Sequence, residues 1–285
     1  MWIVSRFAPS PTGRLHLGHA FSAVRAHDLA RQAGGRFLLR IEDIDGTRSR
    51  ESFVAGIEED LAWLGLVWDG PVMRQSDRMP AYADALARLR ARGLVYPCFC
   101  TRAEIAASAS APHGPEGPVY PGTCRPVSGE APAPDLDRPH CWRLDMARAV
   151  AEAGETLAWH DASAGWITAD PGAQGDVVLA RKETPTSYHL AVTIDDAAQG
   201  VTDVVRGMDL FEATHVHRLL QALLGLPTPR YHHHPLLTGP DGTRLAKRNG
   251  ARALAELRAE GADPAALLAA LRAGQVPFGA GHGEA

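Results

Sequence analysis

Lysine is nearly missing from this sequence. Of 29 basic residues only Lys182 and Lys247 are lysines, and arginine holds every other basic position. A retained lysine therefore asks for a compact point charge on a flexible stem rather than a planar fork. Long apolar runs are lacking too: none reaches the roughly 18 residues of a membrane span, so no transmembrane helix is expected. The opening Met-Trp-Ile-Val-Ser-Arg-Phe has no basic segment before an apolar stretch, so no secretory leader is expected and the location expected is cytoplasmic. Cysteine is scarce, at four in 285 residues. A secreted disulfide framework would be denser and in a smaller chain. Neither sign of charge dominates, with 29 basic against 33 acidic residues and a formal net charge of −4. That balance neither demands nor forbids nucleic acid, because a local basic face can bind RNA on an acidic protein. There is no internal repeat, and 45% apolar with 22% charged residues excludes collagen and disorder. One large domain or two modest ones with ample core fit this length.

The coarse organisation is that of an α/β protein. Trp2 to Phe7 is a short apolar strand candidate running into the turn Ala8-Pro9-Ser10-Pro11-Thr12-Gly13. Leu17 to Ala33 suits a helix ending at Gly34-Gly35. Phe37 to Ile41 reads as a strand, Ser49 to Leu64 as a helix, and Met79 to Arg92 as an amphipathic helix closed by Gly93. Strand and helix alternating at this spacing predict a parallel sheet with crossover helices. Between about Pro97 and Pro139 the texture turns proline-rich and holds clustered cysteines, as expected of a small inserted module without a large core. Strand patterns return at Val177 to Ala180, Tyr188 to Ile194 and Val201 to Val205; His215 to Leu224, Ala253 to Glu260 and Pro264 to Ala273 read as helices.

Two stretches carry phosphate chemistry. In Arg14-Leu15-His16-Leu17-Gly18-His19 a strand-to-turn segment opens a helix with two imidazoles three residues apart. A helix N-terminus presents unpaired N–H groups and a positive dipole end. Imidazoles on its first turn can donate to phosphate oxygens, and Gly18 lets a base or ribose approach the backbone. The plain alternative is that the histidines merely cap the helix. Late in the chain, Gly239-Pro240-Asp241-Gly242-Thr243-Arg244-Leu245-Ala246-Lys247-Arg248-Asn249 is a glycine-containing segment with three basic residues, and Lys247 suits a departing pyrophosphate. Its plain alternative is a solvated basic turn.

In this order the two stretches resemble the His-Ile-Gly-His and Lys-Met-Ser-Lys-Ser signatures of class I aminoacyl-tRNA synthetases. The first is intact at both histidines and the glycine. The second departs at Arg244, at Leu245-Ala246 and at Arg248, while Lys247 keeps the second-lysine position. The segments Arg6 to Gly13, Leu39 to Arg48, Ser187-Tyr188-His189-Leu190-Ala191, Asp195-Asp196 and Val201 to Gly207 resemble the glutamyl-tRNA synthetase subgroup. The resemblance implies a Rossmann-like nucleotide-binding catalytic domain with a parallel sheet, in two halves over 1–95 and 181–235. It also implies an inserted zinc-containing α+β acceptor-type subdomain over 96–180, and a late loop with short C-terminal helices over 236–285. Catalytic roles fall to His16, His19 and Lys247, and ATP contacts to His16, Gly18, His19, Arg244 and Lys247, with Mg²⁺ accompanying ATP. Glutamate carries two carboxylates and one ammonium, and arginine's fork binds carboxylates bidentately. By the resemblance Arg6 and Arg206 contact the amino acid, Ala8 and Ser10 line the turn, Glu42 holds the ammonium and Tyr188 adds a hydroxyl. Which arginine takes which carboxylate stays open.

Only 38 residues follow Lys247, so no anticodon-binding domain is expected there. This shortened architecture resembles the family that activates L-glutamate with ATP, without needing tRNA, and attaches it to queuosine at the wobble position of tRNA(Asp). The alternatives are a truncated glutamyl-tRNA synthetase charging a tRNA 3′ end, a catalytically silent paralogue that binds tRNA or adenylate, and a generic class I nucleotidyltransferase. A monomer is expected.

Cys98-x-Cys100, with Cys124 further on, reads as a metal site in a reducing compartment. Tetrahedral zinc takes four ligands. The resemblance implies Cys98, Cys100, Tyr120 and Cys124 holding one structural zinc ion. His113 and Cys141 compete for the fourth position, Cys141 from an apolar strand pattern that predicts burial. In His232-His233-His234 alternate side chains of a strand point to opposite faces, so no convergent metal site is expected, only a solvated or ATP-adjacent strand end.

Overall fold

The computed structural model describes residues 2–101, 103–105, 119–126, 134–238 and 252–275. In chain order the elements are β1 (Val4–Phe7), α1 (Leu17–Gln32), β2 (Arg36–Ile41), α2 (Glu51–Trp63), β3 (Met73–Arg74), α3 (Met79–Ala91), β4 (Val95–Cys98), β5 (Cys141–Leu144), α4 (Met146–Ala153), β6 (Ala158–Asp161), β7 (Gly165–Thr168), β8 (Val178–Ala180), α5 (Tyr188–Ala198), β9 (Asp203–Gly207), α6 (Ala213–Leu224), β10 (Arg230–His234), α7 (Leu254–Ala259) and α8 (Pro264–Arg272). The chain divides into two units. The first comprises Met1–Asp77, Val201–Met208 and Pro229–Ala285; the second comprises Arg78–Gly200 and Asp209–Thr228. No described helix is long and apolar enough to cross a membrane.

The first unit is built on parallel strands. All four residues of β1 are buried, as a strand covered on both faces requires. β1 pairs in parallel with β2, from Val4 opposite Arg36 to Phe7 opposite Leu39, and β2 pairs in parallel with β3. Parallel neighbours need a crossover, and α1 supplies it between β1 and β2. On the other side, the Thr202 N–H donates to the Val4 carbonyl at 2.9 Å and the Val4 N–H to Thr202 Oγ1 at 2.9 Å, which sets β9 beside β1. β9 in turn pairs in parallel with β10. The core joins Phe7 of β1, Phe21 and Val24 of α1, Phe37 and Leu39 of β2, Ile57 and Leu61 of α2, Leu254 of α7 and Leu271 of α8.

Two glycines at the end of α1 serve different needs. Gly34 has φ +64°, the left-handed region that ends helices, with open space where a Cβ would stand. A Cβ on Gly35 would lie 2.0 Å from the Ile3 carbonyl oxygen, because the chain turns back there to begin β2. Gly34→Ala is expected to cost about 1 kcal/mol through backbone strain, and Gly35→Ala about 3 kcal/mol through backbone collision. Chemical denaturation of the two variants checks the order; equal losses would contradict the close approach.

The second unit holds the antiparallel sheet β4-β5-β8, the hairpin β6-β7, and helices α3 to α6. Its buried centre includes Trp159, Tyr82, Leu190 and Val216. Asp195 of α5 is fully buried and accepts from Tyr82 Oη at 2.6 Å and Arg78 Nε at 2.9 Å, so its charge is paired and hydrogen-bonded.

The helices expected at Leu17, Ser49, Met79, His215, Ala253 and Pro264 are all present, with ends shifted by at most two residues. The strand expected over Tyr188 to Ile194 is instead the first two turns of α5. That run is mostly apolar, with only His189 and Thr193 to interrupt it, so it shows no clear two-residue or 3.6-residue period. The structure shows why: Leu190, Ala191, Val192, Thr193, Asp195 and Asp196 are all buried, and a helix enclosed nearly all round has little polar face to reveal it.

Candidate active site and metal centre

The head of α1 is built from its two histidines. His16 is the N-cap; its Nδ1 accepts from the Gly18 N–H at 3.1 Å. His19 Nδ1 accepts from the His16 N–H at 3.2 Å, which closes a reciprocal capping box. The rings stack with centroids 3.8 Å apart. Both capping bonds use Nδ1 as acceptor, so a neutral ring carries its proton on Nε2. Capping uses Nδ1 and not Nε2, so the two readings of the motif are compatible. Arg252 and Ala253 are the first described residues after the 239–251 segment, and Ala253 pairs antiparallel with His16 while the Leu254 N–H donates to the Leu15 carbonyl at 2.9 Å. Arg244, Lys247 and His113 lie outside the described residues.

Of the residues expected to hold the amino acid, Arg6, Ala8, Ser10, Glu42 and Arg206 lie in the first unit. Arg6 and Arg206 are almost wholly buried on β1 and β9, and Arg6 Nη1 is 3.4 Å from the carbonyl of Val205, next to Arg206. Glu42 directly follows β2; its N–H donates to the Pro9 carbonyl at 3.0 Å and its carboxylate accepts from the buried Arg40 at 3.4 Å. Ala8 is half-buried and Ser10 exposed. Buried arginines and a carboxylate at the C-terminal ends of parallel strands are where open α/β sheets place ligands. Tyr188 belongs to the second unit, half-buried at the start of α5 with its ring edge-on to His189 and His217.

The histidine run of β10 is not a solvated strand end. His233 and His234 are buried, and all three are engaged. His232 donates to Asp203 at 2.8 Å, His233 Nε2 accepts from Arg206 Nε at 3.1 Å, and His234 Nε2 lies 2.9 Å from Ser22 Oγ on the first turns of α1. Alternation along the strand kept them from converging, as expected, and gave them separate partners instead. Tyr231, under the Arg206 guanidinium at 5.3 Å, completes a support that no motif announces.

Asp203 locks these strands. Burial alone would push its carboxyl up, but hydrogen bonds from His232, Thr202 and Arg230 outweigh burial and hold it below its ordinary value. A depressed carboxyl stabilises the fold above the unfolded pKa, near 3.9, and that contribution is lost as pH falls through the folded value. Asp203→Asn is expected to cost about 2 kcal/mol at pH 7. The deficit shrinks below pH ~4, and urea titrations across that range check it.

In the second unit the Sγ atoms of Cys98, Cys100 and Cys124 lie within 4.8 Å of one another, and Cys100 and Cys124 are 3.5 Å apart. Tyr120 Oη is 3.4 Å from Cys98 Sγ and 3.6 Å from Cys100 Sγ, and it accepts from the Cys124 N–H at 2.8 Å. Around a tetrahedral ion with metal–sulfur bonds of ~2.3 Å, ligand sulfurs stand about 3.8 Å apart and an oxygen ligand about 3.5 Å from each. The cluster therefore fits such an ion. Hydrogen bonding with Cys141 draws the Cys98 thiol well below its usual value, while burial pushes the Cys100 thiol and the Tyr120 hydroxyl up. Cys141 stands opposite Cys98 on the neighbouring strand and is buried, as the strand pattern predicts. The support is charged: Arg143 lies 3.8 Å over the Tyr120 ring, and Arg125, next to Cys124, pairs with buried Asp176 at 2.6 Å. Lys182 is exposed, in keeping with a turn residue.

Residues 2–280 match the family model for tRNA synthetases class I (E and Q), catalytic domain. A glutamyl-Q tRNA(Asp) synthetase of Rhodobacter capsulatus is 57% identical, the match covering 92% of this chain and 97% of that one. Another from Symbiobacterium thermophilum is 48% identical over 93% of this chain and 84% of its own length. A glutamate–tRNA ligase 1 of Ruegeria pomeroyi is 42% identical over 93% of this chain and 59% of its own. Among solved structures, a glutamate tRNA ligase from Elizabethkingia meningosepticum in complex with its amino acid superposes with a TM-score of 0.69 at 26% identity, covering 88% of this chain and 53% of that one. With its paired imidazoles at the helix start, its parallel sheet and its cysteine cluster, the chain belongs to the class I glutamyl- and glutaminyl-type tRNA synthetase family, in the glutamyl-Q tRNA(Asp) synthetase branch.

Proposed function

We propose that this protein activates L-glutamate with ATP and transfers it to the queuosine base of tRNA(Asp). The observation that carries the reaction type is the reciprocal cap at the head of α1, which commits both Nδ1 atoms and orients two Nε2 donors. The acceptor is supported by the 57% identity to the glutamyl-Q tRNA(Asp) synthetase of Rhodobacter capsulatus, over 97% of that protein's length. In the first step a glutamate carboxylate oxygen attacks the α-phosphorus of ATP, the bond to the bridging oxygen breaks, and pyrophosphate leaves with its electron pair. In the second a queuosine hydroxyl attacks the acyl carbon, AMP departs, and the hydroxyl proton passes to solvent.

His16, Gly18 and His19 receive the phosphates, and negative charge moving off the α-phosphorus meets the imidazole donors. Lys247, six positions before Ala253 in sequence, follows the leaving pyrophosphate, and Arg244 adds charge. Arg6 and Arg206 take the carboxylates, Glu42 the ammonium, and Ala8 and Ser10 line the turn, with Tyr188 as the further contact the family resemblance implies. Mg²⁺ accompanies ATP. Cys98, Cys100, Cys124 and Tyr120 hold a structural zinc ion that fixes the small lobe between β4 and β5. Substrates of this kind suit a cytoplasmic enzyme, and a monomer is the expected state.

The test supplies labelled glutamate, ATP and Mg²⁺ with queuosine-containing and queuosine-free tRNA(Asp). Label appearing only on the queuosine form, and without need of an intact 3′-terminal diol, is expected. Equal charging of tRNA(Glu) at its 3′ end would replace this reading with that of a shortened glutamyl-tRNA synthetase.

A further inference from the structure

Asp60, on α2, is 1% exposed, and its Oδ1 makes no hydrogen bond among the described residues. It faces a cavity of about 330 Å³ lined also by Arg14, Ser52, Glu59 and Arg258. Arg258 of α7 sits 2.8 Å from Glu59 Oε2 and 3.6 Å from Asp60 Oδ1, the second an ion pair too long for a hydrogen bond. Arg14 reaches the same cavity from the turn two residues before His16. Arg14 belongs to the segment that carries the first phosphate motif, and Arg258 to the helix that follows the second. α7 directly follows the segment containing Lys247, its start is paired with His16 and Leu15, and Arg258 stands one turn further on. A surface ion pair to Glu59 contributes little. A buried carboxylate facing both arginines exerts a stronger and more directional pull.

We propose that Asp60 is a positioning residue for glutamate activation: its carboxylate, paired with Arg258 and facing the cavity that Arg14 also lines, keeps the turn bearing His16 in register with the helix that follows the Lys247 segment. This rests on the activation chemistry proposed above, and not on the identity of the acceptor. Burial pushes the Asp60 carboxyl up to about 6; Arg258 on α7 draws it down, Glu59 on α2 pushes it up, and Arg14 from the turn draws it down. A raised carboxyl gives stability that is present at low pH and lost as pH climbs from about 4 through 6, so at neutral pH the ionised group is a burden on the fold. Function, by contrast, needs that charge.

Glutamate-dependent pyrophosphate exchange by Asp60→Asn in the full chain separates the two. At pH 7.5 the variant is expected to lose about tenfold in kcat, with glutamate KM within about twofold of wild type and a Tm equal or higher. The gap narrows below pH ~6, where the wild-type carboxyl is itself protonated. Arg258→Gln gives a similar loss, and the double variant falls no further than the worse single variant. Wild-type kcat in Asp60→Asn, a lowered Tm, losses that multiply in the double variant, or a gap unchanged at pH ~5.5 would each overturn the proposal. Absence of glutamate-dependent exchange in the wild type would instead overturn the underlying activation reading, and failure of transfer to queuosine would leave this test intact.

Discussion

His16→Asn is expected to lower glutamate-dependent pyrophosphate exchange by about 10²- to 10³-fold and to leave the stability of the fold unchanged. The prediction follows from the division of labour on one ring. His16 Nδ1 accepts the Gly18 N–H at 3.1 Å, as an N-cap acceptor does. The asparagine side-chain oxygen is attached to Cγ just as Nδ1 is, and asparagine is among the preferred N-caps, so the cap survives. Asparagine has no atom at the place of Nε2, so the donor assigned to the phosphate is gone. His16→Ala removes cap and donor together and is expected to show the same loss of exchange plus about 1 kcal/mol of stability. Thermal or urea unfolding beside exchange kinetics resolves the pair. Wild-type exchange in His16→Asn would reduce the histidine to a cap and move the burden of catalysis elsewhere.

That division was not legible in the sequence, though the motif was. The spacing of His16 and His19 at a strand–turn–helix junction marks a candidate site, but which nitrogen caps the helix depends on hydrogen bonds that only the folded turn makes. The parallel strands and their crossover helices were legible because half-buried helices keep a period. α5 was not, since burial nearly all round erases it. The histidines of β10 show a related blindness. Polar residues in a row predict solvent, yet Asp203 and Arg206 of β9 and Ser22 of α1 supply the partners that make their burial tolerable. Asp60 was hidden in the same way. Asp60 follows Glu58 and Glu59 with nothing to set it apart, and only the 3.6-residue turn sends the third acid inward. The cysteine cluster is legible from composition, whereas Tyr120, whose Oη stands 3.4 Å and 3.6 Å from two of the sulfurs, carries no local signal and is reached only through the family resemblance.

The second large effect concerns that cluster. Zinc bound to a structural site supplies roughly 10–16 kcal/mol, or about 3 kcal/mol for each of four ligands. Cys100→Ala and Cys124→Ala are therefore each expected to weaken zinc by about 10²-fold or more, and chelation to lower the Tm of the wild type while changing that of the variants little. Tyr120→Phe is the discriminating substitution. It deletes only Oη, which stands at ligand distance from the thiolates and receives the Cys124 N–H at 2.8 Å, and it keeps the ring that Arg143 covers. Loss of zinc affinity in Tyr120→Phe, with His113→Ala and Cys141→Ala retaining the ion, is the expected pattern in competition with a chromogenic chelator. Retention in Tyr120→Phe and loss in His113→Ala would hand the fourth position to the histidine. Cys141 is the informative control on geometry. It faces Cys98 across the β4–β5 pair, inside the small core rather than on the open side where the other two sulfurs converge. Its removal should therefore disturb packing and the Cys98 thiolate without vacating a corner of the tetrahedron.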